Sequence, residues 1–153
     1  MVLLQSEVLD LFERAKTKEE KVAVLKKHQT PVLQALMRLN FDKTVKMDLP
    51  EGEPPYRKDK DKPAGYNESN LISEYRRFYI WLDPKQNISK VRKEQLFIEL
   101  LEGLHHTEAE VLVLAKDRKL HKKYKSLKVE IVKEAYPYTI PPQPEEPKKV
   151  PLE

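Results

Sequence analysis

The stretch TEAEVLVLAKDRKLHKKYKSLKVEIVK, residues 107–133, decides how the rest of the chain is read. Its first part is helical. Thr107 followed three residues later by Glu110 is a capping-box signal, and Val111, Leu112 and Ala115 recur behind it at helical spacing. Its second part is cationic: residues 116–133 hold eight lysines and arginines against only Asp117 and Glu130. Leu127, Ile131, Val132 and Ala135 then make a final short helix, stopped by Pro137. The cationic part reads as a basic linker between the two helices, and a local charge excess on a short folded stretch creates a field that attracts phosphates or acidic protein surfaces.

Working back toward the N-terminus, the same period recurs. Leu4, Val8, Leu11, Phe12 and Ala15 predict one apolar stripe. Thr17 with Glu20 caps a second helix bearing Val22 and Leu25, and Thr30-Pro31 opens a third with Val32, Leu33, Leu36 and Met37. Leu71, Ile72, Tyr75, Phe78, Tyr79 and Leu82 predict an aromatic-rich helix ending at Asp83-Pro84, with Tyr75, Phe78, Tyr79 and Leu82 facing the core and Trp81 outward. Ser89 caps a helix through Leu96, Phe97, Leu100, Leu101 and Leu104, with Gly103 near its end.

Two segments break the pattern. Residues 40–68 contain Pro50, Pro54, Pro55 and Pro63 with Gly52 and Gly65, and read as an extended arm. Within it Val45, Met47 and Leu49 alternate as in a short strand. The last seventeen residues, from Pro137, hold six prolines and favour extended conformation. The expectation is therefore an all-α chain. Residues 1–136 form one irregular domain of six or seven short helices, with an extended internal arm at 40–68, and residues 137–153 form a flexible proline-rich tail.

Composition narrows function mainly by exclusion. With 39% hydrophobic and 35% charged residues, the chain supports a modest core under solvated faces. The absence of cysteine excludes disulfides, thiolate catalysis and cysteine-held metal sites. Residues 1–12 are interrupted by Glu7 and Asp10 and do not read as a signal peptide; no apolar run approaches the ~20 residues that span a bilayer, so a soluble protein without membrane contact is expected. Three scattered glycines cannot build a phosphate-cradling loop, and no pair of carboxylates is set apart for acid–base work. His106 and Glu110 have a ligand-like spacing but nothing nominates further ligands. Neither catalytic nor metal-binding residues are assigned, and no cofactor is implied.

The candidate binding residues are Lys116, Arg118, Lys119, Lys122, Lys123, Tyr124, Lys125 and Lys128, with Tyr124 as the stacking ring and Arg76 and Arg77 extending the surface if the fold brings them near. They predict a non-enzymatic protein that binds a polyanion: nucleic acid first, an acidic protein surface second. In the alternative, a structural or assembly protein, the arm and tail wrap neighbouring subunits.

Leu49-Pro-Glu-Gly-Glu-Pro-Pro-Tyr56 is followed by Leu96-Phe-Ile-Glu-Leu-Leu-Glu-Gly-Leu104, then Glu108-Ala-Glu-Val-Leu-Val-Leu-Ala-Lys-Asp-Arg-Lys119, then Val129-Glu-Ile-Val-Lys-Glu-Ala-Tyr-Pro137. Across most of residues 41–137 these stretches resemble a family of small uncharacterised proteins encoded by T4-like tailed bacteriophages, especially those of marine bacteria. The resemblance implies a phage product acting in the host cytoplasm or in the virion, with host or virion proteins as further possible partners. It brings no activity, so no functional residue carries over from it.

Overall fold

The computed structural model describes residues 3–58, 60–63 and 67–140. Among the described residues there are nine α-helices and no strand. They are α1 (Gln5–Arg14), α2 (Lys18–Lys27), α3 (Pro31–Phe41), α4 (Leu71–Glu74), α5 (Tyr79–Leu82), α6 (Lys90–Gly103), α7 (His106–Lys116), α8 (Leu120–Lys123) and α9 (Val129–Ala135). A 3-10 turn, Tyr75–Arg77, joins α4 to α5. The chain is all-α, as its periodicity predicts.

Three local caps form as read. Thr17 Oγ1 accepts from Glu20 N, Thr30 Oγ1 from Leu33 N, and Ser89 Oγ from Arg92 N. The cap of α7 does not. Its N-cap is His105, whose Nδ1 accepts from Thr107 N at 3.3 Å, so the helix starts before Thr107. Thr107 instead bonds Ser6 across the interface with α1, at 2.9 Å.

Helix α7 is the axis of the molecule. Glu108, Ala109, Val111, Leu112, Val113, Ala115 and Lys116 are all buried, so the helix is covered on nearly every side. Helices α1, α3 and α6 pack against it and α8 folds back from its C-terminus. Helix α2 lies between α1 and α9. In α1 the buried face is Val8, Leu9 and Phe12, and Leu11, expected inside, is exposed.

The aromatic segment departs from its predicted register for a geometric reason. Three residues of 3-10 helix turn 120° each rather than 100°, which advances everything beyond them by about 60°. Phe78 stays buried, but Tyr79 swings outward to 53% exposure and Ile80 and Trp81 turn in. Trp81 is 1% exposed, donates from Nε1 to Lys93 O at 2.9 Å and meets the Phe97 ring edge-on at 5.6 Å.

Residues 42–57 run as irregular chain along the body and are not a projecting arm. Asp48 N donates to Trp81 O, Gly52 N to Asp117 Oδ2 and Arg57 N to Glu102 Oε2. Met47 is fully buried, with Val45 and Leu49 packed on the core beside it. The alternation of these three residues makes no strand: Arg118 rather than a neighbouring strand bonds Val45 O, and Met47 O accepts from Leu49 N two residues on. This segment is called the strap below.

At the other end, the Tyr136 hydroxyl donates to Leu25 O, Arg38 Nε donates to Thr139 O at 3.1 Å, and Thr139 and Ile140 are buried. The packed body therefore continues past Pro137, beyond the boundary drawn at residue 136. The rest of the expected tail, residues 141–153, lies outside the described residues.

Candidate functional site

The ten residues proposed for a cationic surface separate into three groups. Lys116, Arg118 and Tyr124 face inward. Lys116 Nζ donates to Pro50 O at 2.8 Å, Gly52 O at 3.1 Å and Asp117 Oδ1 at 2.6 Å, and its side chain is only 3% exposed. Asp117 holds the same turn of the strap from the other side through Gly52 N. Together they pin residues 50–52, including the left-handed turn at Gly52 (φ 98°) that glycine adopts without strain.

Arg118 caps the end of α7. Its own φ is 59°, the left-handed region where glycine normally sits, and the turn is a Schellman motif: Lys119 N donates to Leu114 O and Arg118 N to Ala115 O. A side chain there costs about 1 kcal/mol against glycine. The guanidinium offsets that cost by donating to three strap-side carbonyls, Leu39 O at 3.0 Å, Asp42 O at 2.7 Å and Val45 O at 2.6 Å. Tyr124 is 3% exposed, and burial pushes its hydroxyl pKa well above the usual value. None of these three side chains faces solvent as a binding group.

Five lysines remain outward on α8 and the turn after it. Lys122, Lys125 and Lys128 are exposed and make no ion pair among the described residues. Lys119 and Lys123 are partly neutralised, by Glu51 at 3.9 Å and Glu110 at 2.9 Å. The turn is also held by a carboxylate, since Ser126 N and Oγ both donate to Glu13. Arg76 and Arg77 belong to the 3-10 turn, where Arg77 pairs with Glu74 at 3.1 Å. No hydrogen bond or ion pair among the described residues ties that turn to residues 116–128.

Two features carried no local sequence signal. The first is Glu108, fully buried, whose Oε2 accepts from Gln5 N at 2.8 Å and Oε1 from Leu71 N at 3.1 Å. Gln5 and Leu71 are the first residues of α1 and α4, so one carboxylate satisfies orphan donors at two helix N-termini. Burial pushes its pKa up against the downward pull of both N–H donors. Glu110, not Glu108, had the conspicuous spacing.

The second is a cleft of about 310 Å³ between the strap and α7. Tyr56, Lys58, Lys60, Glu53, His106 and Glu110 line it, over a floor of Val113 and Leu114. Lys58 pairs with Glu53 and lies 5.2 Å above the Tyr56 ring. The pKa of the Tyr56 hydroxyl is pushed up to about 12, by burial first and by Glu53 and Glu110 next. That of His106 is lowered by burial, His105 and Lys60. At neutral pH both rings are therefore uncharged. Among the described residues no group of three or more histidine and carboxylate side chains could hold a metal ion, and no helix is long and apolar enough to cross a membrane.

The fold and site define a small all-α protein with an internal strap clamped by its own cations. A family of unknown function, DUF6433, matches residues 8–122, and the chain belongs to that family. The match runs from α1 into α8, so it takes in the strap, the cleft and both clamping cations but stops short of Lys123, Lys125 and Lys128. No curated protein and no solved structure matches the chain.

Proposed function

We propose that this is a non-enzymatic binding protein whose partner is a polyanion, nucleic acid before an acidic protein. The observation that carries the reading is the exposed run Lys122, Lys125 and Lys128, unpaired among the described residues and flanked by Lys119 and Lys123. Phosphates would displace the weak internal partners of the two flanking lysines, since exposed ion pairs contribute about 0–1 kcal/mol. The resemblance to proteins of T4-like phages supports a phage product acting in the host cytoplasm or the virion. Docking of the strap on its own chain weighs against the alternative in which it wraps a neighbouring subunit.

Fluorescence anisotropy with labelled DNA and RNA, from 50 to 200 mM salt, tests the reading. Five phosphate contacts on duplex DNA correspond to a loss of about 500-fold over that range. K122E/K125E/K128E should abolish binding to all sequences alike while Trp81 emission reports an intact fold. Absent or salt-independent binding at low ionic strength would remove the proposal. Binding confined to acidic polypeptides would transfer it to the second class of partner.

A further inference from the structure

The cleft beside Tyr56 refines that reading, on which this inference rests. Its composition is unlike that of a plain anion site. Three lysines stand at or beside it, Lys58, Lys60 and Lys123, yet Glu53 and Glu110 stand there too. Each carboxylate is paired with one of those lysines, Glu53 with Lys58 and Glu110 with Lys123, so a bare phosphate or an acidic peptide would have to compete with it. The carboxylates suit a ligand that brings N–H donors together with its negative charge.

A nucleotide within a strand is such a ligand. The amino and imino groups of a base edge donate to carboxylates, its π-face stacks on uncharged aromatic rings, and the phosphates on either side meet ammonium groups. Each of these needs has a counterpart here: Glu53 and Glu110, Tyr56 and His106, then Lys58, Lys60 and Lys123. Val113 and Leu114 supply an apolar floor. A volume of about 310 Å³ is at the small end of ligand pockets and admits one base with its sugar, not a base pair held in a duplex. The cleft is also continuous with the basic turn, because Lys123 reaches from α8 to Glu110 on its wall at 2.9 Å.

We infer that this cleft takes an unpaired nucleobase, so that the protein prefers single-stranded nucleic acid to duplex. A strand tracking Lys128, Lys125 and Lys122 would enter at Lys123 and place a base against Tyr56. Lys58, on a flexible stem at an exposed loop, would leave the ring and turn to the phosphate.

The test compares three labelled probes of equal length by anisotropy at 50 mM salt: a mixed-sequence single strand, its duplex, and an abasic phosphodiester strand. Single strand should bind at least tenfold tighter than either of the others, because stacking one base is lost in both. Tyr56→Ala should weaken the single strand about tenfold and leave the duplex and abasic strands unchanged; Tyr56→Phe should retain most of the affinity. K122E/K125E/K128E should weaken all three. Equal binding of single strand and abasic strand, preference for duplex, or a Tyr56→Ala effect equal on every probe would overturn the cleft assignment while leaving the polyanion reading in place. Failure of every probe to bind would overturn both the cleft assignment and the nucleic-acid reading. Should Tyr56→Ala lose its native Trp81 emission, Tyr56→Leu, which keeps the side-chain bulk without the ring, takes its place with the same expectation.

Discussion

Arg118→Ala and Arg118→Gly, measured side by side, separate two opposing effects at one residue. The arginine occupies a left-handed position at φ 59° and donates to the carbonyls of Leu39, Asp42 and Val45. Hydrogen bonds from a charged donor contribute about 1.5–3 kcal/mol each, but these carbonyls are only part-buried and water would reach them after truncation. About 1 kcal/mol per bond is the appropriate discount, giving a loss of about 3 kcal/mol for Arg118→Ala. Glycine loses the same bonds but relieves the backbone strain, so Arg118→Gly should recover about 1 kcal/mol and lose only about 2. Urea unfolding followed by Trp81 emission provides the assay, because that side chain is 1% exposed and reports directly on the core. Both variants, while folded, should bind nucleic acid with an unchanged salt slope. The reasoning fails if Arg118→Ala lies within about 0.5 kcal/mol of wild type, or if glycine is no better than alanine. A salt slope reduced by about one contact in both variants would put the guanidinium on the binding surface after all.

Lys116→Met should cost about 3 kcal/mol in the same titration, because it leaves Asp117 without its cation and two strap carbonyls without donors. Adding Asp117→Asn should restore part of that loss; strictly additive effects would argue against a coupled pair. At pH 4 the Glu108 carboxyl is protonated, and its hydroxyl oxygen can still accept where the amide NH2 of Glu108→Gln cannot, so about 1–2 kcal/mol should be lost. Its pH dependence has a definite sign. Because burial raises the folded carboxyl above its usual 4.5, the stability it contributes is complete below pH 4.5 and declines as pH rises through the folded value. Glutamine does not titrate, so the deficit of Glu108→Gln should narrow from pH 4 to pH 7. A deficit that widens instead would show the two N–H donors outweighing burial.

Much of the fold was legible because the signals are local. Thr17, Thr30 and Ser89 each find their partner three residues ahead, and Pro137 lies just beyond the end of α9. The count of helices rose above the expected six or seven for two reasons: the aromatic segment is split by its 3-10 turn, and Leu120–Lys123 forms a helix within what read as a linker. Trp81 and Tyr79 exchanged places because a period of 3.6 carried through three residues of 3-10 helix is out of phase beyond them.

The sequence by itself determined that this chain is helical, that the helical pattern breaks after α3, and that positive charge is concentrated after Lys116. Tertiary structure decided which of those charges are available. Lys116 reaches carbonyls 66 and 64 residues away, and Arg118 reaches others 79, 76 and 73 residues away, so no window along the chain contains both ends of either clamp. Capping depends on neighbours in sequence, whereas neutralisation and burial depend on neighbours in space. The cleft at Tyr56 is of the second kind, since its walls come from the strap and from α7, far apart in sequence, and the contacts of Lys116, Arg118 and Glu102 with the strap help to hold them together.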